Sequence, residues 1–222
     1  MESYELIVRF FQTGGTFMYP IAIVLVVGLA IAFERWLVLS SAGFANRRAF
    51  DVVMKQLRQR DYQSVVAEGG KSRVPIYRIV AAGIARFAHS KRREDIESAM
   101  EEGVMEALPR LEKRTQYLAT LANVATLLGL LGTIVGLIAA FTAVAHAAPT
   151  EKASMLSSSI SVAMNTTAFG LISAIPLLLL HAVLQTKTIE IVDSFEMATV
   201  KVLNALVDAD VLPHQGRKTD AA

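Results

Sequence analysis

The chain has 222 residues, 53% of them hydrophobic and 19% charged, with a mean hydropathy of +0.44 and a formal net charge of +2. A water-soluble domain of this size could not bury that much apolar surface, so the composition points to a membrane protein. Cysteine is absent, which excludes disulfides, a thiol nucleophile and thiolate metal sites.

Residues 2–12 place Tyr4, Ile7, Val8 and Phe11 at helical spacing, which predicts a short amphipathic helix lying at an interface, with 1–15 as an N-terminal periplasmic element. The N-terminus lacks a basic run before its first apolar core, so that core is expected to stay as an anchor. Residues 16–39 form the first predicted transmembrane helix. A bilayer core of about 30 Å needs roughly 20 apolar residues. Tyr19 and Trp36 suit the two interfaces, and Glu34 and Arg35 can pair or reach toward headgroups.

From 40 to 116 the pattern is helical and charged, and most of the chain's Lys and Arg lie here. Gly69-Gly70 and Val74-Pro75 predict turns between helices. From Arg92, the spacing of Ile96, Met100, Val104, Leu108 and Leu111 predicts one long helix running on into the membrane, with Pro109 able to kink it. Residues 117–147 form the second predicted span, 148–156 a periplasmic loop, and 157–186 the third span. In 187–222, Ile191, Phe195, Ala198, Val202 and Leu206 predict a further amphipathic helix, and the tail beyond Pro213 is expected to be disordered. Basic residues concentrate at 40–116 and at the C-terminus. This places the N-terminus outside and the C-terminus inside. The expected fold is all-α, with three transmembrane helices that continue into a large cytoplasmic helical region.

No Asp, Glu, Lys or Arg lies between Arg114 and Glu151, or between Lys152 and Lys187. A chain relaying ions by itself would be expected to hold a titratable group there. His146 and His181 sit near helix ends. What the second and third spans contain instead is hydroxyls and amides. Thr126 and Thr133 lie on one face of the second span. Ser161, Asn165, Thr166, Thr167 and Ser173 lie on the third. Their bland role is interhelical hydrogen bonding, and their functional role is lining an ion path. Gly129, Gly132 and Gly136 form one stripe of small residues; Ala163, Thr167, Gly170 and Ala174 form another. Such stripes permit close helix approach or leave room for a foreign helix. Pro176 is expected to kink the third span and free a carbonyl near Ile172. There is no Ser-His pair, acidic pair or metal-ligand cluster at membrane depth, so an enzyme is not expected.

Three stretches carry a resemblance. They are Gly14-Gly15 through Met18-Tyr19-Pro20-Ile21 with Glu34-Arg35; Leu121-Ala122-Asn123-Val124-Ala125 with the LLGLLGTIVGLI run at 127–138; and Thr166-Thr167-Ala168-Phe169-Gly170-Leu171 with Ala174-Ile175-Pro176. In these the chain resembles the MotA/TolQ/ExbB proton-channel family, closest to its ExbB and TolQ branch. The resemblance implies a pore-forming stator subunit of an ion-driven motor in a bacterial inner membrane, its N-terminus periplasmic and its C-terminus cytoplasmic, with the Gly129, Gly132 and Gly136 stripe packing between subunits and Thr133 turned toward the lumen. It implies a homopentamer around a dimer of a single-span ExbD-, TolR- or MotB-like partner whose membrane aspartate carries the ion. Thr133 and Thr167 match the polar threonines facing that aspartate. Val162 stands where ExbB and TolQ usually have a glutamate, and Ala125-Thr126 where they have Ala-Pro. The extra oxygens at Thr126, Asn165 and Thr166 suit a hard cation, so Na⁺ at Thr133 and Thr167 is an alternative to H⁺. No bound cofactor and no nucleic acid are expected; lipid is. The alternative function is a membrane scaffold that conducts nothing.

Overall fold

A computed structural model describes residues 14–215. The expected N-terminal helix at 2–12 lies outside the described residues. Six helices follow in chain order among them: α1 Met18–Arg58, α2 Tyr62–Lys71, α3 Pro75–His89, α4 Arg93–Glu112, α5 Thr115–His146 and α6 Lys152–Gln215. The protein is all-α, and three stretches, in α1, α5 and α6, are long and apolar enough to cross a membrane. The third span and the amphipathic helix after it are one continuous helix, α6, which passes Pro176 and runs on past Pro213 to Gln215. The remainder of the tail lies outside the described residues.

The chain divides into two compact units. The first holds residues 14–17, residues 18–35 of α1, Arg114, α5 and residues 152–184 of α6. Its core is small: Ala32, Ala122, Ala125, Ala140, Ala163 and Ala174 are buried alongside Met18, Ile21, Leu118, Phe169, Leu177 and Leu184. Many of its large side chains point outward. Ile23, Phe33, Leu127, Ile138, Phe141 and Leu179 are all exposed. In water each would forfeit about 1.5–3 kcal/mol of burial, so lipid or other protein must cover them. A small-residue inside with a greasy outside is the inverse of a soluble helical bundle.

The second unit holds the rest of α1 and α6 together with α2, α3 and α4. It has an ordinary core. Val53, Leu57, Ile79, Val80, Ile84, Ile96 and Met100 are buried, and so are all five apolar positions read from the C-terminal periodicity, Ile191, Phe195, Ala198, Val202 and Leu206. Pro75 opens α3 at a position where its missing N–H costs nothing. Asn46, thirty residues earlier on α1, accepts a hydrogen bond from the Ile76 N–H at 3.4 Å and supplies a cap that Val74 cannot.

Two expectations are corrected here. Gly69-Gly70 is not a turn: α2 runs through both glycines to Lys71, and the chain turns at 72–74. A Cβ at Gly69 would stand 2.8 Å from the Tyr77 carbonyl oxygen, so this glycine serves close approach of α2 and α3. The long helix from Arg92 does not run unbroken into the membrane. Pro109 lies inside α4, but the helix ends one turn later, at Glu112. Pro109 cannot donate to the carbonyl of Met105, which weakens the last turn. The Lys113 N–H closes back on the Pro109 carbonyl at 3.1 Å, and Arg114 takes left-handed backbone geometry at φ 68° before α5 starts.

Candidate functional site in the membrane-type unit

The glycine stripe on α5 packs within the chain, against α6. A Cβ added at Gly129 would stand 3.2 Å from the Gly170 Cα and 3.3 Å from the Thr166 carbonyl oxygen. One added at Gly170 would stand 2.8 Å from the Ala125 carbonyl oxygen and 3.0 Å from the Gly129 Cα. Gly136 meets Ala163 in the same way, and Gly132 meets the Thr166 side chain. At Gly129 and Gly170 backbone meets backbone, at Gly132 and Gly136 the glycine meets a small side chain, and all of these contacts lie within the chain, so the expectation of packing between subunits is corrected for this stripe. Apposed small residues on α5 and α6 bring the two backbones together inside one subunit.

That approach decides what the hydroxyls do. Thr167 Oγ1 donates to the Gly129 carbonyl oxygen at 2.8 Å, across the helix pair. Thr166, which is buried, donates to the Gly14 carbonyl oxygen at 2.6 Å and lies 3.0 Å from its own-helix carbonyl at Val162. Gly14 and Gly15 form the turn before α1, and Gly15 sits at φ 75°, with Val162 Cγ1 3.2 Å from where its Cβ would be. Val162 is thus an apolar seat beside a turn that needs glycine.

Thr133 differs. Its hydroxyl donates to Leu130 of its own helix at 2.6 Å, and the side chain is only half-buried. Thr126 likewise bonds Ala122 of its own helix at 3.1 Å. Both hydroxyls keep lone pairs for an outside partner. Ser161 and Pro176 are exposed, and Asn165 is half-buried. Ser173 is fully buried, and its hydroxyl has no hydrogen-bond partner among the described residues. The structure therefore separates the candidates: Thr166, Thr167 and the glycines hold helices together, while Thr133 and Thr126 present oxygen on the open side of α5.

Sequence reasoning missed three supports. Gly28 faces Leu177, whose side-chain carbon would be 2.6 Å from an added Cβ, so this lone glycine in an apolar run marks where α1 meets α6. Arg114 holds both oxygens of Glu34 at 2.8 Å, joining the start of α5 to α1, whereas the sequence offered only the adjacent Arg35 as a partner for Glu34. The third is the Gly14 carbonyl, for which no residue type could have been a signal.

A bundle with a small-residue interior, an apolar exterior and isolated hydroxyls at depth defines a multi-pass α-helical membrane protein. Comparison with known proteins then fixes its kinship. Residues 71–197 match the MotA/TolQ/ExbB proton channel family, and the chain belongs to that family. It is 25% identical over 89% of its length to a putative biopolymer transport protein ExbB homolog of Methanothermobacter thermautotrophicus, covering 69% of that protein. It is 30% identical over 83% of its length to a putative biopolymer transport protein ExbB-like 1 of Synechocystis, covering 73% of it. A second Synechocystis protein, ExbB-like 3, is 27% identical over 76% of the chain and is itself 80% covered.

Proposed function

We propose that this chain is the pore-forming stator subunit of an inner-membrane motor driven by the ion-motive force, and that it works with a single-span ExbD- or TolR-like partner. One observation carries the reading. The second and third spans hold no carboxylate, yet α5 presents the Thr133 hydroxyl on its open side, half-buried and bonded only to its own helix. A site with acceptor oxygen and no charge is half of an ion path, and the missing acid comes from another chain. On this reading five copies surround a partner dimer, the N-terminus is periplasmic, the C-terminus is cytoplasmic, and 40–116 is the cytoplasmic domain.

The test is ion flux in vesicles carrying the chain and its co-purified partner. Thr133→Val should abolish flux while leaving assembly intact, and Thr133→Ser should restore it. Unchanged flux in Thr133→Val sinks the proposal. The ion is proposed to be H⁺. Flux that persists after the proton gradient is collapsed, but stops when Na⁺ is withdrawn, would assign Na⁺ instead.

A second reading is a scaffold that conducts nothing. Two observations favour it: Thr166 and Thr167 spend their hydroxyls on helix packing, and Val162 is apolar. It expects no flux from the wild-type complex under any gradient.

A further inference from the structure

His181 is the one titratable side chain between Lys152 and Lys187. It is half-buried, and neither ring nitrogen is hydrogen-bonded among the described residues. The glycine contacts fix what lies beside it. Gly136 meets Ala163 and Gly129 meets Gly170, so α5 and α6 run antiparallel, and a step of seven back along α5 matches a step of seven onward along α6. Continued, this register sets Thr133 beside Thr167, Thr126 beside Ala174 and Ala119 beside His181. Leu118 and Ala122 on α5, and Leu177 and Leu184 on α6, are fully buried, so the bundle stays closed to the level of His181. Positions seven apart share a helix face to within about 20° and lie about 10 Å apart along the axis. One seam therefore carries a hydroxyl, a second hydroxyl and then an imidazole, with alanine opposite the last two.

The ionisable groups near this level on the neighbouring helices are Glu34 and Arg35 on α1, and Arg114 and Tyr117 at the start of α5. Arg114 holds both Glu34 oxygens at 2.8 Å, and Arg35 is buried, so the one carboxylate here is already engaged. A hydroxyl can pass a proton along but does not keep the charge. An imidazole can take a proton on one nitrogen and release one from the other. An ionisable side chain within a span is costly and marks a functional position. We propose that His181 is the proton relay at the cytoplasmic end of the ion path. Water anchored by Thr133 and Thr126 brings it the proton that a carboxylic acid of the partner gives up. One ring nitrogen accepts that proton, the other releases one to the cytoplasm, and the partner carboxylate is reprotonated from the periplasmic side. This relay rests on the reading of the chain as a stator subunit that carries H⁺.

The full chain and its co-purified partner, reconstituted in vesicles, test this. Proton flux is followed as the pH on the C-terminal side is varied from about 5 to 8, the interval in which imidazole changes charge. Wild-type flux is expected to vary with that pH. H181Q keeps a polar side chain but cannot take a proton, so its flux should fall and lose the dependence. H181A should lose flux as well, and imidazole added on the C-terminal side should restore it. A side chain needed only for packing would give no such rescue. Subunit mass is measured for both variants. The relay is overturned if H181Q keeps the wild-type dependence, if imidazole restores nothing to H181A, or if both variants lose flux only together with assembly. Absence of proton flux from the wild type would remove the stator reading itself. Flux that T133V stops and H181Q leaves untouched keeps that reading and removes only the relay.

Discussion

Thr133 and Thr167 were read alike from sequence, as two hydroxyls on facing helices. Their environments now part them. Thr167→Val removes a bond to the Gly129 carbonyl and should cost about 0.6–1.7 kcal/mol, the range for interhelical hydrogen bonds in membranes, seen as a lower midpoint in detergent. Thr133→Val removes only a bond within its own helix and should leave the midpoint unchanged while flux is lost. Equal destabilisation by both would place Thr133 in the packing as well. Ser173 makes the opposite case. Its hydroxyl is buried and unsatisfied, so Ser173→Ala should be neutral or stabilising, by up to about 1 kcal/mol, with flux retained. Lost flux in that variant would bring Ser173 into the ion path. Residue type alone could not have sorted these three, because the sorting depends on which carbonyls lie across the helix pair.

Elements were more legible than contacts. The three apolar runs and the C-terminal periodicity were readable, because hydropathy and 3.6-residue spacing are local properties. The break at 113–114 was not: Pro109 pointed to the right neighbourhood, but the left-handed residue is an arginine, not glycine. Gly69-Gly70 read as a turn because glycine serves two purposes, and only the neighbouring Tyr77 carbonyl shows which applies. The α5 and α6 pair depends on its glycines in the same way. Gly170→Ala would press a methyl group on backbone that cannot retreat, so a loss of about 1–3 kcal/mol is expected, measured by thermal unfolding in detergent. At the start of α4, Ser90 Oγ donates to the Asp95 carboxylate at 2.5 Å, and this bond holds the Asp95 carboxyl below its usual range. The sign follows: the contribution is present above the ordinary carboxylate pKa of about 3.9 and is lost as pH falls through the lower folded value. Hydrogen exchange in the first turn of α4 should therefore quicken on acidification, and Asp95→Asn should remove that dependence.

For the whole molecule, the first unit leaves large apolar side chains uncovered on each of its long helices, a surface that must face lipid or other protein. Lipid covers some of this surface, and further copies and a partner are proposed to cover the rest. Mass measurement of the purified protein checks this. Five copies accepting two partner chains is the expected result, and a stable monomer would contradict it. Family membership was legible from short runs, since those runs are the places where backbones meet: Gly14-Gly15, the glycines of α5, and Thr166 to Gly170 on α6.

The bond from Thr166 to Gly14 joins positions 152 residues apart. At a synthesis rate of about 5–20 residues per second, Gly14 leaves the ribosome about 8–30 s before Thr166 does. For that interval the turn ahead of α1 has no anchor, and the first span must hold its place in the bilayer by its own hydropathy. The last span to be made is therefore the one that fastens the first.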